Sequence, residues 1–259
     1  QARRKVASCS SSTRGIWAGG ASPGTTDVID YVTIANTGNA TDFGNLFTGV
    51  SDDSSQCFGG SNNTRGIFAG GYNDVNTIQY ITIASTGNAA DFGDLITGRF
   101  DHGACASPTR LVVAGGKDTP GSPDTLSSIE YVTIATTGNG TNFGDLAAAL
   151  RGPSGLSNNI RGLMGGGTPA SNNTIQYITI ATTGNAADFG DLHQARQETL
   201  AGGTSNNTRG CWAGGQTPSY VTKVDMVMIA NQGNAIDFGN LTTGTSGAGS
   251  VSDSHGGLS

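Results

Sequence analysis

Charge is scarce in this chain, and one sign of it especially: 12% of the 259 residues are charged, and lysine occurs only as Lys5, Lys117 and Lys223. The formal net charge of −6 leaves no basic stripe able to neutralise a run of phosphates, which argues against a nucleic-acid partner. Arg3-Arg4-Lys5 is the one basic cluster and reads as a solvated terminus rather than a phosphate or lipid contact. No stretch approaches the roughly 20 consecutive apolar residues of a membrane helix, and no signal peptide is visible, so a soluble chain without a membrane partner is expected. Starting at Gln1, part-way into a repeat unit, the sequence reads as a processed product or an excerpt of something longer.

The groups that build metal and catalytic centres are equally sparse. Cys9, Cys57, Cys105 and Cys211 show neither CxxC pairing nor metal-ligand spacing and read as buried free thiols. His102, His193 and His255 fall at non-equivalent repeat positions, and no paired histidines with a carboxylate indicate a metal site. Asp52-Asp53 is an isolated acidic pair, read as solvated rather than as a general acid and base. The expectation is a protein that is not an enzyme, with no catalytic residues, no metal and no cofactor.

What is abundant is glycine, 42 residues of it, and it is periodic. Thr13-Arg14-Gly15-Ile16-Trp17-Ala18-Gly19-Gly20 returns nearly verbatim at 64–71, 109–116, 160–167 and 208–215. Each copy is followed by a Tyr-x-Thr-Ile-Ala-like strand and an Asp-Phe-Gly-Asp-Leu-like segment. A period of about 50 residues accommodates four short strands and their turns, one blade of a β-propeller. In the second unit the strands, A to D, are expected at 54–60, 66–70, 77–84 and 91–95, separated by Asn62-Asn63, Gly70-Gly71 and Thr86-Gly87-Asn88. Gly and Asn tolerate positive φ in tight hairpins, so the units read as antiparallel meanders.

Strand C carries apolar groups on both faces, Ile78, Tyr80 and Thr82 alternating with Gln79, Ile81 and Ile83. A two-layer sandwich usually leaves one face polar, whereas a blade between two neighbours buries both. The expected fold is therefore all-β: a five-bladed propeller with four antiparallel strands per blade. Residues 1–244 form it, with blades near 1–50, 51–97, 98–147, 148–194 and 195–244, and 245–259 is a tail or surplus strand. Blade one already has an A strand in 1–12, yet 244–259 reads as another. It either docks on a neighbouring subunit by strand addition or begins a further blade.

Phe43, Phe92, Phe143, Phe189 and Phe238, each before a glycine, supply one buried aromatic anchor per blade, each worth about 1.5–3 kcal/mol. Arg14, Arg65, Arg110, Arg161 and Arg209 recur at one register position. They are expected to act as structural brackets, reaching either a carboxylate (Asp42, Asp91, Asp188, Asp237) or the carbonyls of a neighbouring blade. A ring of guanidiniums binding an anion at one channel mouth is the alternative.

Ile67-Phe68-Ala69-Gly70-Gly71, Tyr80 and Phe92 resemble the kelch repeat, with Phe in place of the usual Trp and a longer Tyr-to-aromatic spacing. Gln194-Ala195-Arg196 is similar to the start of a kelch unit. The phrase Tyr177-Ile178-Thr179-Ile180-Ala181-Thr182-Thr183-Gly184-Asn185-Ala186-Ala187-Asp188-Phe189-Gly190-Asp191-Leu192 resembles repeats in virion structural proteins of tailed phages infecting cyanobacteria, over essentially 1–244. The resemblance implies a kelch-like virion component of a tail fibre, neck or head appendage, and brings no catalytic residue with it. The partners it implies are other virion proteins and a host-surface glycan or protein, in an oligomeric assembly on an extracellular particle. A secreted carbohydrate-binding propeller and a kelch-type copper oxidase are the competing classes.

In an up-and-down blade the A–B and C–D turns share one rim, and the B–C and D–A connections share the other. The first rim is monotonous in sequence. The second varies at every blade: B–C loops at 21–27, 72–76, 117–127, 168–173 and 216–222, and D–A connections carrying Asp52, Asp53, Phe100, Asp101, His102, Arg151, His193 and Arg196. Loops on a rigid scaffold commonly bear binding groups, so Tyr72, Asp74, Lys117, Asp118 and Tyr220 are the candidate partner contacts.

Overall fold

The computed structural model describes residues 3–21, 24–47, 58–118, 125–169, 172–197, 203–247 and 249–252. Asp52, Asp53, Cys57 and His255 lie outside them, as does part of the 117–127 loop. The described chain is a five-bladed β-propeller of four-stranded antiparallel blades. Blade one comprises β1 (Ala7–Ser10), β2 (Arg14–Ala18), β3 (Val28–Thr33) and β4 (Thr41–Asn45). Blade two has β5 (Phe58–Ser61), β6 (Arg65–Gly71), β7 (Val75–Thr82) and β8 (Ala90–Asp94). Blade three has β9 (Gly103–Ala106), β10 (Arg110–Ala114), β11 (Ser128–Thr133) and β12 (Thr141–Asp145). Blade four has β13 (Ser154–Ser157), β14 (Arg161–Gly165), β15 (Asn172–Thr179) and β16 (Ala187–Arg196). Blade five has β17 (Gly203–Ser205), β18 (Arg209–Ala213), β19 (Lys223–Met228) and β20 (Ile236–Asn240).

Local chemistry sets the turns. Asn62, Asn158 and Asn206 accept backbone N–H bonds from residues two and three positions on, closing the A–B hairpins, and Ser11 and Ser107 do the same in the other two blades. Both faces of strand C are covered: Ile78 and Gln79 are both buried, as are Ile175 and Gln176. Apolar layers form between consecutive blades. The first gathers Ile16, Ala18, Ile29, Phe43 and Leu46 of blade one against Phe68, Ile81 and Ile83 of blade two.

The Asp-Phe-Gly segment has a specific task. Every C–D pair shifts register opposite the phenylalanine, at Ile29/Asp30, Ile78/Gln79, Ile129/Glu130, Ile175/Gln176 and Val224/Asp225. Such a bulge leaves one residue unpaired in its own ladder. The freed carbonyls of Phe43, Phe92, Phe143 and Phe189 accept the N–H of Gly87, Gly138, Gly184 and Gly233 in the next blade, at 2.7–2.8 Å. Asn88, Asn139, Asn185 and Asn234 complete the clasp, their side-chain oxygens accepting the N–H two residues past each phenylalanine at 3.0 Å. The glycine after each phenylalanine is obligatory, because a methyl group on Gly44, Gly93, Gly144 or Gly190 would strike the carbonyl of the next turn, at a φ between +144° and +150°. The sixteen-residue phrase thus repeats so closely because it holds both halves of this clasp.

Blade five departs from the expectation. Phe238 is 58% exposed, against 2% for each of its four repeat counterparts, because among the described residues no following blade lies against it. The surplus strand of the sequence resolves here as well: segment 249–252 lies in the chain's own ring, between β17 and β1. Ser8 and Ser10 donate to the carbonyls of Ser250 and Ser252, and Ser250 donates to that of Gly203.

Candidate functional site

Three regions could carry function: the channel, the bracket positions and the loop rim. The channel is a space of about 120 Å³ lined by the five A strands and by 249–252. Its hydroxyls are committed to holding the A strands together. Ser61, Ser157 and Ser205 donate to the carbonyls of Ser10, Ala106 and Ser157 at 2.6 Å, and Ser10 donates to Ser252 at 2.7 Å. Burial pushes the Cys9 thiol far up and that of Cys105 up to about 12, so both stay protonated, inert packing groups.

The arginine series is resolved residue by residue. Arg14, Arg65 and Arg110 donate to the carbonyls of Ile83, Ile134 and Ile180 in the next blade at 2.7–2.9 Å, and Arg161 reaches Ile229 and Ala230 at 3.2 and 2.7 Å. Each also lies over its own blade's tyrosine, 4.2–5.0 Å from the rings of Tyr31, Tyr80, Tyr131 and Tyr177. Those tyrosines meet Phe43, Phe92, Phe143 and Phe189 edge-on at 5.8–6.0 Å. The carbonyl, not the carboxylate, is therefore the bracket's partner. The acidic residues before the phenylalanines are exposed, and Asp237 pairs instead with Lys223 at 2.6 Å, which holds its pKa down. Arg209 is exposed and its guanidinium has no blade to reach among the described residues; Met226 stands where the other blades have tyrosine.

On the variable rim the structure divides the candidates. Tyr72 is 37% exposed and rests edge-on against Phe100, ring centroids 5.0 Å apart. Phe100 exchanges two backbone hydrogen bonds of 2.9 Å with Lys117. Tyr72, Phe100 and Lys117 thus come together at the junction of blades two and three, with Asp118 next in chain. Asp74 is exposed in the tight turn below Tyr72, where Asn73 and Asp74 both have positive φ (62° and 59°). Tyr220 stands apart on blade five, 62% exposed.

Several groups expected on that rim are interior instead. His102 and Arg196 are wholly buried, Asp101 is 2% exposed and Phe100 is buried, and Arg99, which the sequence did not single out, is wholly buried beside them. Arg196 pairs with Asp225, Arg99 with Glu130 and Arg3 with Asp30, while Asp101 takes Arg151 at 2.8 Å. Burial pushes the Asp225 carboxyl up, against the pull of the Arg196 guanidinium. Where strand C has glutamine, the connection offers no arginine: Gln176 accepts the N–H of Ala147 at 2.7 Å, with Leu150 at the place of Arg99, and Gln79 accepts that of Phe47. The polar residue set between apolar neighbours in strand C was the available signal for this layer: Asp30, Gln79, Glu130, Gln176 and Asp225.

Among the described residues no three His, Cys, Asp or Glu side chains group in a way that could hold a metal ion. Among the same described residues no helix is long and apolar enough to cross a membrane. Compared with known proteins, the chain matches no family model and no curated sequence.

Proposed function

We propose that this chain is a non-enzymatic structural and recognition module, a kelch-like propeller borne on a tailed-phage virion in a fibre, neck or head appendage. The observation that carries the reading is the division of labour between the two rims. The C–D turn rim is spent on backbone clasps between blades, which makes a stiff scaffold. On the other rim the backbone bonds between blades lie at the base of the loops, and the outer part presents Tyr72 on Phe100 beside Lys117, and Tyr220 on blade five. Exposed aromatics on pre-ordered loops bind with little loss of conformational freedom. The resemblance of the repeated phrase to virion repeats supplies the setting: another virion protein or a host-surface glycan or protein is the partner.

The test is binding of the purified chain to assembled particles and to host cells, comparing the native sequence with Tyr72→Ser and Tyr220→Ser. Binding weakened tenfold or more at unchanged melting temperature supports the reading. Unaltered binding by both variants removes the rim from it. Specific retention on a glycan array without particle binding would favour a secreted lectin, and stoichiometric copper in the isolated protein an oxidase.

A further inference from the structure

The ring has six places and five blades. Segment 245–252 follows residues 3–10 at a constant offset of 242 positions in the sequence, and the interactions of its described residues, 245–247 and 249–252, repeat those of a unit's entry and A strand. Gly215 donates to the Thr245 carbonyl at 2.8 Å as Gly71 does to Arg99 and Gly116 to Leu150. Lys5 donates to Gly247 at 3.0 Å as Gly152 does to Asp101. Gly247 has φ +69°, beside +55° for Lys5, +50° for Asp101 and +67° for Gly152, its counterparts. Ser10 holds the Ser252 carbonyl as Ser61 holds that of Ser10. The segment occupies the A position of a sixth blade, and among the described residues nothing occupies the positions of that blade's strands B, C and D.

The two walls of this open wedge are the two halves of the interblade layer seen four times elsewhere. On the blade-five wall, Phe238 is 58% exposed and Cys211, Ala213, Val224 and Leu241 are half-buried, where their counterparts in blade one, Phe43, Ile16, Ala18, Ile29 and Leu46, are 0–2% exposed. On the blade-one wall, Ile34 is 38% exposed, against 0–1% for Ile83, Ile134, Ile180 and Ile229, and Trp17 is half-buried where Phe68 and Trp212 are covered. The polar halves match too. The clasp acceptor of blade five is open, nothing lying within 4 Å of a methyl on Gly239, and the Gly38-Asn39 turn of blade one, the donor half, is exposed.

We propose that this wedge is a socket for the B, C and D strands of a sixth blade of the same repeat. All five copies of the Arg-to-Gly-Gly motif in the 259 residues are used in the observed blades, so the occupant comes from outside them. The incoming strands give Arg209 a carbonyl to bind, cover Phe238 with an apolar C strand, and reach Ile34 with their own arginine. The site also specifies one side chain of its occupant. Carboxylates on strand C, buried at Glu130 and Asp225 and half-buried at Asp30, are matched by arginines in the connection, Asp30 by Arg3, Glu130 by Arg99 and Asp225 by Arg196, whereas Gln176 lies opposite Leu150. The connection into the sixth place carries Thr245 there, so the occupant has glutamine, not an acid, at that position. A carboxylate would be buried without a counter-ion.

The experiment replaces 253–259 with residues 158–192 of blade four, which follow Ser157 as the new segment follows Ser252. The closed ring is expected to melt about 5 °C or more higher than the parent, to protect the amides of Gly38, Ala40 and Asn240 from exchange, and to shift Trp17 emission to the blue. Gln176→Glu in the added unit should abolish the gain, and Thr245→Arg should restore it. The same 158–192 segment added as a separate peptide to the unaltered chain provides a second readout, with the Glu form binding at least tenfold more weakly except to the Thr245→Arg protein. The proposal fails if neither the fused nor the free segment protects those amides, if the Glu and Gln forms behave alike on both backgrounds, or if a second copy covers Phe238 in a dimer that Phe238→Asp dissociates. Rim binding is not involved, so these outcomes are independent of the partner on the variable loops.

Discussion

His102 is wholly buried against the ring of Phe58, centroids 4.8 Å apart, and neither ring nitrogen has a hydrogen-bond partner among the described residues. Desolvation, reinforced by the Arg99 guanidinium, holds its pKa well below the ordinary imidazole value. The folded protein therefore keeps this histidine neutral. Its effect on stability is nil above about pH 6.5, where both states are neutral. As pH falls through that value the unfolded chain gains a proton that the folded chain refuses, and stability drops by up to about 1.4 kcal/mol per pH unit. Urea unfolding at pH 7.5 and 5.5 should show the native protein losing about 1.4 kcal/mol more than His102→Phe, which keeps the ring packing; equal losses would mean that the imidazole is not sealed from water. Sequence placed His102 on a binding rim for an understandable reason: D–A connections are loops, and a loop's depth depends on which chain folds over it. The layer beneath was foreshadowed by the polar residue inside each apolar C strand, since a lone Asp or Glu there requires a partner from a distant segment.

At the level of strands and turns, the blades follow closely from periodic glycine, asparagine and two-faced apolar strands, because hairpin geometry is set within a few residues. Strand B of the second blade, expected at 66–70, is β6 at Arg65–Gly71. The bulge at each phenylalanine was not legible, because it is defined by the turn of the next blade rather than by its own neighbours. Phe238 makes the same point: its sequence is that of an anchor, and it is 58% exposed because no following blade lies against it among the described residues. Arg65 and Arg209 offer a matched pair. Arg65 contributes a charge-assisted bond to Ile134 at 2.7 Å and a ring contact with Tyr80, together worth about 1–3 kcal/mol at a partly exposed site. Arg65→Met should therefore lower stability by that amount, whereas Arg209→Met should change it by less than about 0.5 kcal/mol. Chemical denaturation of the two variants decides it, and equal effects would refute the bracket reading.

Taken as a ring, the molecule is a row of nearest-neighbour contacts in which, among the described residues, blades one and five meet through 245–247 and 249–252. Blades two, three and four each bury both faces, and among the described residues blades one and five each keep one wall open. Stability in such an array is close to a sum of unit and interface contributions, so the ends are expected to open first. Ending the chain at Gly244 removes the carbonyls that Lys5, Ser8, Ser10 and Gly215 use and uncovers Trp17, which packs near Gly249 and Val251. Hydrogen exchange of the truncated chain should rise about tenfold or more in β1–β4 and β17–β20, and much less in β9–β12, whose interfaces with blades two and four are intact. A uniform rise across all five blades would instead mean that the propeller opens as one cooperative unit, with 245–252 acting as the keystone of the whole ring rather than as a local seam.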